Sequence, residues 1–200
     1  MSKKLLLLGL CFLMLSSPAL AWWITPELKQ EIAEKQKALE SDYGNPFAHY
    51  DLAITYAYSN HIAEGWEQLK TIHEKFPYFA PMALDRYTAE VRYDPTNWKM
   101  RYRLAFALFF NGKKHAAIDQ FKKIIEINPK EVFAYGYIAL IYGEMEEVDN
   151  GIKYVKKGLA VDSNVAALHL LLSAAYYKKG ESWAGFWEGS EAMRLKALGY

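Results

Sequence analysis

The chain has 200 residues, with 24 Lys and Arg against 23 Asp and Glu, and 52% of it is hydrophobic. This composition excludes wholesale disorder and a collagen-like fibre, and a net charge near zero gives no electrostatic footprint for wholesale nucleic-acid binding. The single cysteine, Cys11, excludes an intrachain disulfide framework and a cysteine-based zinc finger.

The first predicted element is a leader over residues 1–21. Lys3 and Lys4 form a positive start, Leu5 to Leu15 are apolar, and Ala19-Leu20-Ala21 has the small-x-small form of a cleavage site. Eleven apolar residues are short for a membrane span, which needs roughly 20. The expectation is cleavage after Ala21 and an exported protein, periplasmic or secreted, with an uncleaved anchor as the rival. Cleavage removes Lys3, Lys4 and Cys11, so the mature chain would be slightly acidic and free of cysteine.

Next comes a leading helix within 22–45. Thr25 suits its cap and Pro26 its first position. Leu28, Ile32 and Leu39 make a narrow apolar stripe on a charged helix, expected to act as a lid over the end of the downstream helices rather than as a membrane-surface helix.

From Pro46 onward the chain repeats itself. Numbering each copy from Pro46, Trp98, Val132 and Ala166, large residues recur at positions seven and eleven, as in Leu52 with Tyr56 and Leu104 with Leu108. These are four apart and share a helix face. Small residues recur at eight (Ala53, Ala105, Ala139, Ser173) and at twenty (Gly65, Ala117, Gly151, Gly185). A helical Gly costs about 1 kcal/mol against Ala, so its recurrence points to close approach of two helices. Gly112 and Gly180 mark turns at position fifteen, and Pro77 and Pro129 close copies at thirty-two.

This pattern resembles the 34-residue tetratricopeptide repeat, most closely over residues 46–77 and 98–197. The resemblance implies an all-α solenoid of helix-turn-helix units: repeats at 46–79, 98–131, 132–165 and 166–200, with an extra helix at 80–97. The copies depart from the pattern where Ser163 and Ala197 replace the closing Pro and Gly189 replaces a large apolar residue. The extra helix, with Leu84, Tyr87 and Val91 at helical spacing, fits a second helix whose first helix has been lost. It is expected to offset the first copy from the rest and to leave residues 98–200 able to fold alone.

In the family, first helices line a concave groove. Carried over by position, the candidate partner-binding residues are Tyr50, Ile54, Tyr102, Phe106, Phe109, Phe133, Leu140 and Tyr177. The set is largely apolar or aromatic, which suits an apolar segment of another protein. The alternative is that these aromatics pack inside a tightly wound stack. The basic clamp with which some family members hold a peptide carboxylate is absent, since Tyr102, Phe106, Tyr137, Ala167 and Leu171 stand at its positions. A second patch, Trp183, Phe186 and Trp187, crowds the last helix and suggests self-association or docking.

Catalytic and metal motifs are missing. His49, His61, His73, His115 and His169 form no His-Glu-x-x-His pair, and there is no Gly-rich phosphate loop or nucleophile elbow. Arg101-Tyr102-Arg103 interleaves base and ring, but too briefly for a nucleic-acid platform. The expectation is a protein-interaction scaffold with no cofactor and no catalytic role, taking one or more proteins or peptides. An assembly factor for an envelope machine is one alternative. An enzyme or solute-binding protein using the groove as a pocket is the other.

Overall fold

The computed structural model describes residues 24–200, apart from the side chains at 62, 63, 66, 70 and 73; the leader lies outside the described residues. Among the described residues there are ten α-helices and no strand: α1 (Pro26–Ser41), α2 (Pro46–Ala57), α3 (Ile62–Lys75), α4 (Phe79–Tyr93), α5 (Trp98–Phe110), α6 (Lys114–Ile127), α7 (Val132–Glu144), α8 (Val148–Val161), α9 (Ala166–Lys178) and α10 (Ser182–Ala197). The fold is an all-α solenoid.

Local chemistry sets the helix starts. The Thr25 hydroxyl accepts from the Leu28 amide at 3.2 Å, Asn45 from the Phe47 amide at 3.0 Å and Asn97 from the Met100 amide at 3.1 Å. Each such cap stabilises its helix by about 1 kcal/mol. Pro26 and Pro46 occupy first turns, where a missing N–H does no harm.

The turns obey one rule. Position fifteen is left-handed in all four copies, with φ of 60° at Asn60, 74° at Gly112, 63° at Glu146 and 80° at Gly180. Glycine and Asn visit this region readily, whereas Glu does so under strain. The small residues at eight and twenty also serve one geometry. A Cβ on Gly65 would stand 3.0 Å from the Ala53 carbonyl oxygen, and one on Gly151 would stand 3.1 Å from that of Ala139. The two helices of a copy therefore touch backbone to backbone. In the last copy, Ser173 at eight donates its hydroxyl to the Gly185 carbonyl at 2.7 Å.

A polar clamp recurs at position four. His49, Arg101 and His169 each join the backbone carbonyl three residues before their copy to a side chain at position twenty-three. His49 bridges the Tyr43 carbonyl and Gln68; Arg101 bridges the Pro95 carbonyl and Gln120; His169 bridges the Ser163 carbonyl and Glu188. In the third copy Tyr135 and Tyr154 hold the corresponding positions. Arg101 and Arg103 are both buried, which removes them from any nucleic-acid surface.

The leading helix α1 lies on α2 and buries Ile32 and Leu39 against Leu52 and Tyr56. At the other side of α2 stands α4, whose buried stripe (Phe79, Ala83, Tyr87, Val91) repeats every four residues. Tyr87 stacks on Tyr50 at 5.5 Å, and Phe79 meets Phe47 edge-on at 4.9 Å.

The packing bears against the expectation that residues 98–200 fold alone. One continuous apolar core runs from Tyr50 in α2 to Ile141 in α7, straight through the extra helix. Arg103, 2% exposed, donates to Asp51 at 2.6 Å, and the Tyr50 hydroxyl donates to the Arg103 carbonyl at 2.7 Å. Residues 98–200 taken alone would leave that guanidinium without its carboxylate. A second core, built on α7, α8 and α9, continues the stack toward the C-terminus.

Candidate functional site

The concave face divides into a filled half and an open half. In the filled half, Tyr102 is wholly buried among Tyr58, Trp98, Phe106, Phe121 and Tyr137. Phe106 meets Tyr137 edge-on at 4.8 Å. The Tyr137 hydroxyl donates to the Ala57 carbonyl at 3.0 Å, tying the third copy to the end of the first copy's first helix. The winding is so tight that the groove positions of the early copies meet one another.

Four groove candidates are thereby corrected. Tyr50, Ile54, Tyr102 and Phe133 are interior residues, each 3% exposed or less. Tyr50 is covered by α4, and Tyr102 is closed over by Tyr58 and Tyr137. Phe106 is buried except for an edge, and Phe109 is half-buried. Leu140 and Tyr177 are about half exposed; Leu140 lines the open half, and the Tyr177 ring lies against Gly185 of α10.

Beneath the filled half sits an ionisable pair of opposite character. Burial pushes the Glu131 carboxyl up to about 7, against the stabilising hydroxyl of Tyr102, which donates to it at 2.9 Å. Burial would likewise raise Asp51, but the Arg103 charge and the Tyr87 hydroxyl outweigh it and hold that carboxyl below the ordinary aspartate value. Core side chains engage both carboxyls, Tyr102 at Glu131 and Tyr87 with Arg103 at Asp51, so both belong to the packing.

The open half contains two apolar hollows separated by a ridge. The first, of about 260 Å³, lies between Leu69 of α3, Phe106, Phe109 and Phe110 of α5, and Ile141 of α7. The second, of about 250 Å³, lies between Val148 and Val155 of α8 and Leu171 and Ala174 of α9. Leu140 and Glu144 line both and form the ridge. The Lys114 ammonium pairs with Glu144 at 3.0 Å, and Lys178 donates to the Gly143 carbonyl at 3.3 Å. The hollows thus have apolar walls and a few charges at the rim.

The first hollow lies where the 34-residue period is broken. In a regular stack, α3 would pack on the first helix of the next copy. The chain supplies only α4, a second helix, so α3 packs chiefly on α2 and its other side faces the gap. A further apolar hollow of about 260 Å³, bounded by Leu69, Ile72, Phe76 and Phe110, lies on the α4 side of the same gap. Leu69 and Ile72 escaped the carry-over of groove positions because they lie on a second helix. Their signal was the 18 extra residues between the first two copies.

The fold and the recurring geometry at positions eight, fifteen and twenty can be set beside solved structures. A crystal structure of MamA protein matches with a TM-score of 0.55 at 22% identity, covering 86% of this chain and 84% of that one. The chain has the fold of the tetratricopeptide-repeat proteins. YrrB, a tetratricopeptide-repeat protein with an unusual peptide-binding site, matches with a TM-score of 0.51 at 16% identity, covering 86% of this chain and 79% of that one. Among curated sequences, anaphase-promoting complex subunit 3 of Dictyostelium discoideum is 30% identical over 79 residues; the match spans 40% of this chain but 8% of that subunit. No family model matches.

No helix among the described residues is long and apolar enough to cross a membrane. Nor do the described His, Cys, Asp and Glu side chains form a group able to hold a metal ion.

Proposed function

We propose that the protein is an exported, non-catalytic interaction scaffold that holds an apolar segment of a partner protein across the Leu140 ridge. The observation that carries this reading is the pair of apolar hollows flanking one exposed leucine. A bound segment would place one apolar side chain on each side of Leu140, with Phe109, Phe110 and Tyr177 extending the contact. Glu144, Lys114 and Lys178 would set its orientation at the rim. YrrB indicates that a solenoid of this kind can carry a peptide site. Apolar walls favour this over a solute pocket, which needs several convergent polar groups.

Burial of apolar surface would supply most of the affinity, at roughly 25 cal/mol per Å² before entropic losses. Binding should therefore depend weakly on salt. Export rests on the leader at 1–21, and N-terminal sequencing of the mature protein is expected to begin at Trp22; material beginning at Met1 would contradict cleavage.

The groove is tested by placing a photo-crosslinking residue at Leu140 and, separately, at exposed Lys123 on α6, in the native cell. A discrete adduct from position 140 and none from 123 is expected. Equal labelling from both positions would refute a groove site.

A further inference from the structure

The last helix, α10, carries an apolar face that its counterparts in the second and third copies lack. At positions eighteen and twenty-two, those copies have His115 with Asp119 and Asp149 with Lys153, all exposed. The last copy has Trp183 and Trp187 there, 71% and 58% exposed. At position twenty-one, Ile118 and Ile152 are buried by the continuing stack, whereas Phe186 is 50% exposed. Met193, 67% exposed, continues the stripe toward the helix C-terminus. The three rings already pack on one another, with centroids 5.7–5.8 Å apart. They form one surface rather than scattered side chains.

We infer that this face binds the same face of a second copy, with the two α10 helices antiparallel and crossing at Ser190. Four features of α10 favour that occupant. Ser190 lies on the stripe between Phe186 and Met193, seven and three residues from Trp183 and Trp187, and its small side chain lets two backbones approach. Its hydroxyl is already satisfied by the Phe186 carbonyl at 2.9 Å, so burying it leaves no unpaired group. Antiparallel crossing there sets Phe186 and Trp187 of each copy against Met193 of the other, a contact of ring and thioether. It also opposes the two helix dipoles favourably.

Charge and area agree. The charged groups on the stripe, Glu191 and Arg194, neutralise each other at 2.6 Å within one helix, so two copies meet without like-charge repulsion. That neutral, paired surface is unlike the polybasic face by which a helix binds anionic lipid. The exposed parts of Trp183, Phe186, Trp187, Met193 and Leu198 sum to roughly 600 Å² per copy, so a symmetric pair buries about 1,200 Å², the lower bound for a stable interface. A twofold contact of this kind closes on itself and stops at the dimer.

Sedimentation equilibrium of the mature protein is expected to show a dimer, and Trp187→Glu to weaken it at least about a hundredfold with helical content and melting temperature kept. In the mature protein, which cleavage leaves free of cysteine, Ser190→Cys is expected to give a disulfide-linked homodimer on mild oxidation, while Lys157→Cys on α8 gives none. A monomer at 100-fold the working concentration would overturn the inference. So would a dimer unaffected by Trp187→Glu, a ladder of higher species, or association seen only with vesicles of anionic phospholipid. The groove reading is untouched by any of these, because Leu140 and α10 are assayed separately.

Discussion

The Tyr137 hydroxyl of α7 donates to the Ala57 carbonyl of α2 at 3.0 Å, across 80 positions of sequence. This single contact marks how tightly the solenoid winds, because it joins first helices two full copies apart. It also decides which aromatics can meet a partner. Tyr102 is closed off beside it, whereas Leu140, one turn further along α7, stands about half exposed.

Tyr137→Phe removes only that hydroxyl and leaves the ring against Phe106 and Phe121. It is expected to destabilise the fold by about 1 kcal/mol. Tyr102→Ala empties a fully buried ring site and is expected to cost about 3–5 kcal/mol. Urea unfolding of both variants checks the ranking; a smaller effect from Tyr102→Ala would mean that the early groove is open.

Glu146 adopts the left-handed turn that Gly112 and Gly180 adopt without strain. Glu146→Gly is therefore expected to stabilise the protein by roughly 1 kcal/mol, seen as a higher melting temperature. Gly112→Ala is expected to do the reverse.

Glu131 makes stability depend on pH with a definite sign. Its carboxyl is pushed from 4.5 up to about 7 in the folded chain, so the folded state holds this proton more tightly than the unfolded state. The contribution is complete below about pH 4.5 and is lost as pH rises through about 7. Glu131→Gln keeps an acceptor for the Tyr102 hydroxyl and is expected to flatten this part of the profile. At pH 8 it should gain roughly 2–3 kcal/mol over the parent. Denaturant midpoints of both proteins between pH 5 and 8 measure the difference, and parallel profiles would contradict it.

The Asp51–Arg103 pair ties the first copy to the second across the extra helix. Asp51→Ala strands a buried guanidinium and is expected to cost about 3–5 kcal/mol. Thermal melts of Asp51→Ala and of the double variant Asp51→Ala with Arg103→Met would show a smaller loss for the double variant, in which neither charge is left unpaired.

The repeat architecture was legible because positions eight, fifteen and twenty are dictated by backbone contact, and only small or left-handed-tolerant residues satisfy them. The lid was legible from the spacing of Ile32 and Leu39. Exposure of the groove was not. Tyr50, Tyr102, Leu140 and Tyr177 all occupy groove positions, five, five, nine and twelve of their copies, and are all apolar or aromatic. Whether such residues meet a partner or one another depends on how tightly the copies wind, which emerges from α1, α4 and contacts such as Tyr137 with Ala57 rather than from any local pattern. The hollow beside Leu69 was hidden for a related reason. It lies where the repeat period is broken, and Leu69, which lines it, is outside the groove positions.

Binding of an apolar segment at the Leu140 ridge is tested most directly by selecting 12-residue peptides on the mature protein and measuring their affinity for the parent and for Leu140→Glu. Apolar or aromatic peptides should be selected, with affinity nearly independent of salt, and Leu140→Glu should weaken them at least about 30-fold, roughly 2 kcal/mol, with helical content unchanged. Selection of charged peptides, or affinity unchanged by Leu140→Glu, would contradict a binding site at this ridge.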